Sequence, residues 1–330
     1  MKALRRRGPD TLLDTDATAP EAGPGEALIR PTLTAIGPSD LAVARGEIPF
    51  EGIMGHRFVG VVEAVGEGVA DRWRHARVVG NINIADATSP LARRGLGNHA
   101  PDRRVLGLLG KDGCFAERFT LPASNLAVVP DTLDDGQAIA AEPLAGAVHA
   151  SRIVHLERKG FVTVIGDNLS ALLCTQVMEP LNNTVRLLGR RPERFEMAER
   201  WGVRHRHIEE VGLRGDQDVV IVCTGSARDF AFAMGMVRPR GKIVLKTEPI
   251  PLPGVELAGA AAGVDLTPVI RDEIEVYGAR CGSVADAISV LSSGAVDVTS
   301  LVTKRVKFTD GVAGLRAAAE PEQIVVVMEM

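Results

Sequence analysis

Hydrophobic positions along the chain fall into two textures. Through residues 1–140 they come in short β-branched runs, "GEALIRPTLTAIG", "FVGVVEAVGEGV", "ARVVGNINIA" and "FAERFTLPASNLAVVP", each bounded by Gly, Pro, Asn or Asp. Runs of that kind between turn residues predict strands. From residue 141 the texture alternates. "EPLAGAVHASRIVHL" has helical spacing, "FVTVIG" is a buried strand and "LSALLCTQVMEPL" a helix. "TVRLLG" is a second strand, and "PERFEMAERWG" is a helix that Gly202 closes. "DVVIVCTG", "DFAFAMGMVRPRG" and "KIVLK" carry the alternation on. Strand–helix–strand repetition predicts a parallel sheet with helices on both faces. After "EIEVYGARCG" and the helix "VADAISVLSSG", the tail "LVTKRVKF…IVVVMEM" is β-like again. It is expected to return to the first unit, which would make that unit discontinuous.

Composition sharpens this picture only a little. A length of 330 residues, 45% of them apolar, exceeds one ordinary core and predicts two domains. The formal net charge of −4 gives no electrostatic reason to expect nucleic acid or an anionic membrane as partner. No apolar run approaches the roughly 20 residues a bilayer span needs. The basic start "MKALRRRGPD" is followed by no apolar segment, so no signal peptide is expected and the cytoplasm is the expected location. Cys114, Cys174, Cys223 and Cys281 are scattered, which suits a reducing compartment and argues against a disulfide framework.

Specific stretches carry a resemblance. "SDLAVARGEIPFEGIMGHRFVGVVEAVGEGV", "DGCFAERFTLPASNLAVVPD", "EPLAGAVHA", "VTVIGD", "VCTG", "RPRGKIVLK" and "YGARCG" occur in the order found in medium-chain dehydrogenase/reductases, the zinc alcohol dehydrogenase superfamily, and the chain resembles that family over nearly its whole length. The resemblance implies an α/β protein with a GroES-like β-rich domain, residues 1–141 and 284–330, and a Rossmann doubly wound parallel-sheet domain, residues 142–283. It also implies a homodimer, paired through the edge strand that "EIEVYGAR" resembles.

The functional positions depart from the family. Where members with a structural zinc carry four cysteines, the register falls on Asp86, Ser89, Ala92 and Ala100, although the flank "RRGLGNH" is kept. Tetrahedral zinc needs four strong N or S ligands, so no metal is expected there. At the catalytic site the family's Cys corresponds to Gly37, its Gly-His-Glu to Gly55, His56 and Arg57, and its later Glu to Glu142. Without the thiolate, and with a guanidinium that stays charged, no catalytic metal is expected either. Arg57 then has two readings: a cation that stabilises substrate oxyanion charge, or a partner for Glu142 or Asp40 that neutralises an old cavity. Ser39 falls at the family's proton-relay hydroxyl. Ser39, His56, Arg57 and Glu142 are the candidate catalytic residues; for Ser39 and His56 a plain hydrogen-bonding role stands beside the catalytic one.

The Gly-rich turn after the first Rossmann strand corresponds to Gly166, Asp167, Asn168, Leu169, Ser170 and Ala171. Gly166 is kept and Ala171 is a tolerable exchange, but Asn168 stands where backbone usually approaches a pyrophosphate. The second strand ends in Gly189, Arg190 and Arg191, with no carboxylate to hold a ribose hydroxyl, which favours NADP(H) over NAD(H). Thr224 and Gly225 match the family turn near the nicotinamide ribose. The expected function is a zinc-independent, NADP(H)-dependent oxidoreductase that reduces an activated double bond or carbonyl of a small molecule. A family member retired from catalysis and kept for binding, and a non-redox cyclase or lyase that reuses the cleft, are the alternatives.

Overall fold

A computed structural model describes residues 1–154, 160–181, 184–246 and 263–330. The last two residues of the helical run that ends at Leu156 lie outside these. The amino-terminal half is built on a seven-stranded sheet. Its path runs Leu126–Val128, Arg77–Gly80, Arg57–Val65, Glu26–Ile36, Val325–Glu329 and Val302–Lys307, with Phe119–Pro122 also paired to Glu26–Ile36. Neighbours are antiparallel except the last two, which run parallel. Ile29, Phe58, Val62, Phe119 and Leu121 fill its core, and Phe58 meets Phe119 edge to face at 4.7 Å.

An eight-residue helix, the longest within residues 1–140, interrupts this β-rich half. α1 (Pro38–Arg45) starts where the sequence allows it: Gly37 is the N-cap, Pro38 is pre-set for the first turn, and the Asp40 carboxylate accepts the Gly37 N–H at 2.8 Å. Gly46, at φ 78°, ends it in the left-handed region.

The second sheet has six parallel strands: β1 (Phe161–Ile165), β2 (Thr184–Gly189), β3 (Arg204–His207), β4 (Gln217–Val222), β5 (Val237–Leu245) and β6 (Glu275–Gly278). Their order is β3-β2-β1-β4-β5-β6, the doubly wound arrangement. The helices of nine residues or more are α2 (Ala141–Ile153), α3 (Leu169–Met178), α4 (Pro192–Arg200), α5 (Ala227–Met236) and α6 (Val284–Ser292). Val162, Val164, Val185 and Leu187 pack on the side of α3 and α4, whereas Ile165, Leu188, Val220 and Val222 pack on the side of α5. Burial on both faces is why β1, β2 and β4 read as apolar runs.

Two details differ from the sequence pattern. The run "DFAFAMGMVRPRG" divides: α5 stops at Met236 and β5 already begins at Val237, with Pro239 inside an irregularity between the register pairs Gln217–Val237 and Val219–Lys242. A residue that cannot donate to the ladder is tolerated at such a bulge. The crossover from β3 to β4, residues 208–216, holds only a 3₁₀ turn, Ile208–Glu210. The tail is β-like as expected, and between its strands it carries α7 (Gly311–Ala318). No helix among the described residues is long and apolar enough to cross a membrane.

Candidate active site

Arg57 opens the strand Arg57–Val65, beside the start of α1. A Cβ placed on Gly37 would lie 3.0 Å from Arg57 Cζ and 3.2 Å from His56 Cε1, so the guanidinium and the imidazole already fill the space a side chain at 37 would take. Arg57 Nε donates to Glu142 Oε2 at 3.0 Å, and the two side chains are 4% and 13% exposed. Glu142 sits in the first turn of α2, where a helix N-terminus favours a carboxylate. Of the two partners Arg57 could take, Glu142 holds its Nε. Asp40 is engaged elsewhere: its second oxygen lies 3.0 Å from His56 Nδ1, in a pair with no exposed side-chain surface. The tautomer with its proton on Nδ1 suits that contact. His56 Nε2 is then an acceptor, buried and without a hydrogen-bond partner. Ser39, on α1, is likewise buried. The four candidate catalytic residues therefore lie in one region, Arg57 and Glu142 paired and His56 held by Asp40.

This donor set does not fit a catalytic zinc, which takes three protein ligands and keeps one position open. Position 37 has no side chain, position 57 is a cation, and Glu142 is already spoken for by that cation. Among the described residues no three His, Cys, Asp or Glu side chains converge in a way that could hold a metal ion. The lobe at 85–100 is held by other means. The Asp86 carboxylate accepts the Thr88 N–H and hydroxyl, both at 2.7 Å, and buried Arg103 donates to Asn83 Oδ1 and to the Ala100 carbonyl. Asp86, Ser89, Ala92 and Ala100 provide a turn, a buried Ser and two small apolar residues.

A thiol the sequence pattern did not single out borders the site. Cys281, Asn83 and Glu142 line one small cleft. Burial first, and then the Glu142 carboxylate, push the Cys281 thiol above its ordinary range.

The Gly-rich turn lies at the carboxyl end of β1. Gly166 adopts φ 133°, and a Cβ there would come within 3.2 Å of Ala171 Cβ and 3.4 Å of Thr224 Cγ2, so Gly166, Ala171 and Thr224 are brought together. The Asn168 side chain caps α3: Oδ1 accepts the Ala171 N–H at 2.9 Å while Nδ2 donates to the Cys223 carbonyl at 2.7 Å. Gly225 has φ 67° just before the N-cap Ser226 of α5. A dinucleotide fits this turn with one modification, since Asn168 already occupies one of the N–H groups a pyrophosphate would use.

At the end of β2 the arginines are engaged. Arg190 forms a two-pronged pair with Asp229, at 2.6 and 3.2 Å, and Arg191 donates to the Pro321 carbonyl. The carboxylate of Asp167 reaches over from the turn and accepts the backbone N–H groups of Arg190 and Arg191 at 2.7 and 3.1 Å. Gly189 permits this, because a Cβ there would stand 3.1 Å from the Asp167 side chain. Sequence reasoning passed over Asp229, and it gave Asp167 and Cys281 no part in a site. Only the Asn168 cap had a visible signal, an Asn placed just before an apolar helical run.

With this geometry in place, relatives can be compared. The model of the alcohol dehydrogenase GroES-like domain matches residues 23–131. An L-threonine 3-dehydrogenase of Chelativorans sp. (strain BNC1) is 27% identical, across 100% of this chain and 98% of the relative. An alcohol dehydrogenase from Thermus sp. ATN1 superposes with a TM-score of 0.88 at 27% identity, covering 100% of this chain and 99% of that one. A dehydrogenase from Sinorhizobium meliloti 1021, solved with NADP bound, has the same fold, with a TM-score of 0.89 at 23% identity and coverage of 100% and 99%. A GroES-like unit, a doubly wound sheet and these relatives across the full length lead to one assignment: the chain belongs to the medium-chain dehydrogenase/reductase, or alcohol dehydrogenase-like, superfamily.

Proposed function

We propose that this protein is a nicotinamide-dependent oxidoreductase whose cleft works on a small-molecule carbonyl or activated double bond without a metal ion. The observation that carries the proposal is the Arg57–Glu142 pair at the position where relatives are expected to hold zinc. Bound at the Gly166 turn, the cofactor supplies or takes a hydride. Arg57 is the fixed cation toward which a substrate oxygen would turn, and a positioned donor stabilises developing oxyanion charge. Glu142 keeps the guanidinium in place. His56, oriented by Asp40 through Nδ1, has Nε2 available to accept or return a proton. A conjugated substrate suits this set, because its own π-system spreads the charge that a Lewis acid would otherwise carry.

NADP(H) is the proposed form of the cofactor. Arg190 and Arg191 flank the end of β2, and the Arg190 side chain keeps 40% of its surface exposed while pairing with Asp229. Asp167 is the opposing charge in that corner. The test is a fluorescence titration with NADPH and with NADH, on the wild type and on Asp167→Ser. Saturable NADPH binding is expected, with the preference for NADPH enlarged in Asp167→Ser. Once binding is established, NADPH oxidation should be detectable against a panel of enones, quinones and aldehydes. Absence of binding by either dinucleotide at millimolar concentration overturns the proposal.

One observation favours the second reading, a member retired from redox chemistry. Ser39, His56 and Arg57 are at most 3% exposed, as closed a site as an ordinary core contact. The same titration separates the two, because a retired member has no need to retain the cofactor.

A further inference from the structure

The doubly wound sheet is unevenly covered. Parallel strands are joined by crossovers of a dozen or more residues, usually a helix that shields one sheet face. The β3–β4 crossover at 208–216 has no such helix, only the turn Ile208–Glu210. On the face that α5 covers over β4, the β2–β3 end therefore stays open. A groove of about 660 Å³ lies there, with Val211 and Met236 among its lining residues.

Its polar lining is cationic. Side chains alternate along a strand, so Arg186 and Leu188 of β2 share a face, as do Arg204 and Arg206 of β3. The register pairs Arg186 with Arg204 and Leu188 with Arg206, and Leu188 packs on the α5 side. Arg214, from the crossover, completes a set of four guanidinium groups lining the groove, against two carboxylates, Glu199 and Asp216. Strand spacing holds the Arg186 and Arg204 backbones about 5 Å apart, and Arg206 follows two residues on in the same strand. Arg186 is half-buried. It donates from Nη2 to Thr163 Oγ1 at 3.2 Å, while its Nε is buried without a hydrogen-bond partner. Burial, and after Asp216 the nearby Arg206 and Arg214, leave its charge under-compensated.

We propose that this groove is a second binding site, for a small ligand that carries two or more phosphate groups. It opens at the amino ends of β3 and β4, where Arg204 and Gln217 begin their strands, whereas the Gly166 turn is at the carboxyl end of β1. The two sites are thus at opposite ends of the sheet. Bidentate guanidinium contacts match phosphate oxygens, and Arg204, Arg206 and Arg214 line the groove beside the half-buried Arg186. A long nucleic acid is disfavoured, because Glu199 and Asp216 bound the groove and the chain as a whole carries a net charge of −4.

The experiment is isothermal titration of the full chain with pyrophosphate and tripolyphosphate, in chelator-treated buffer at fixed salt, on the wild type, Arg206→Gln and Arg186→Gln/Arg206→Gln. Arg206 is exposed, so its replacement leaves the fold intact. Saturable binding with one site per chain is expected, weakened by roughly tenfold in Arg206→Gln and further in the double variant. NADPH titration should give the same affinity for all three proteins. The proposal is overturned by the absence of saturable heat, by binding unchanged in the double variant, by competition with NADPH, or by a short oligonucleotide that binds more tightly than tripolyphosphate.

Discussion

At the scale of single residues, the Arg57–Glu142 contact is where chemistry and stability are hardest to separate. Both groups are nearly out of water, and truncating one partner of a buried pair leaves the other charge uncompensated. Arg57→Met should lower the unfolding free energy by about 3–5 kcal/mol in urea titration, and Arg57→Met/Glu142→Leu should recover most of that loss. If Arg57 also stabilises an oxyanion, turnover per folded molecule falls by about two to three orders of magnitude with NADPH affinity unchanged. Turnover that survives in the double variant removes Arg57 from the chemistry. Cys281 gives a reading of the same region. A thiol raised above its ordinary range holds its proton at pH 8, and only the thiolate reacts. Its alkylation by iodoacetamide, followed by peptide mass spectrometry, should be slower than for free cysteine at pH 8 and should accelerate only at higher pH. A reaction as fast as the free amino acid's would contradict this. The candidate residues themselves were legible in the sequence because a strand, a turn and a helix start place them at fixed registers. Their partners were not. That Glu142 rather than Asp40 takes the Arg57 Nε depends on how the first turn of α2 meets the start of the strand Arg57–Val65, which no local pattern encodes.

At the scale of elements, the turn between β1 and α3 concentrates the question of the cofactor. Asn168 does two things there, capping the helix and tying the turn to the Cys223 carbonyl. Glycine is nearly as good an N-cap, at a cost of a few tenths of a kcal/mol, and it removes the side chain from the path of a pyrophosphate. Asn168→Gly should therefore tighten NADPH binding several-fold in a fluorescence titration with little change in melting temperature; weaker binding would mean that the Asn side chain itself contacts the ligand. The elements as such were readable. Alternating apolar runs gave β1, β2, β4, β5 and β6 and α2 to α6 in order, since a strand buried on both faces has nowhere to put a polar residue. Three features escaped that logic. β3, "RHRH", carries no apolar residue and does not read as a strand. The start of β5 at Val237 was hidden because Pro239 looks like a breaker until a bulge excuses it. The bare β3–β4 crossover could not be seen as a groove, because a missing helix leaves no pattern behind.

At the scale of the whole molecule, two seams matter. One is internal. Arg194 of α4 donates to the carbonyls of Pro321, Glu322 and Gln323 at 2.8–3.3 Å, just before the strand Val325–Glu329, and so ties the doubly wound sheet to the other unit. The other is external. β6 ends its sheet, with Val276 40% exposed, and an open edge of β-formers invites pairing with a second copy. We propose a two-fold dimer through that edge. Light scattering should give twice the monomer mass, and Val276→Lys, a charge on the edge strand, should shift the population to monomer. A wild type that stays monomeric at micromolar concentration refutes the pairing.

The placement of Val325–Glu329 between Glu26–Ile36 and Val302–Lys307 also has a consequence for synthesis. A ribosome delivers the first sheet's long strands early and the strand that lies between them and its edge last of all. The Glu26–Ile29 stretch finds Phe119–Pro122 early, but Leu33–Ile36 must wait, unpaired on that side, while some three hundred residues emerge. The β1–β6 sheet meets no such delay, because its strands are contiguous in sequence and domains fold as their chains are completed. The doubly wound sheet should thus be the first part to become protease-resistant on the nascent chain. The half that carries Arg57 becomes resistant only once the strand Val325–Glu329 has emerged.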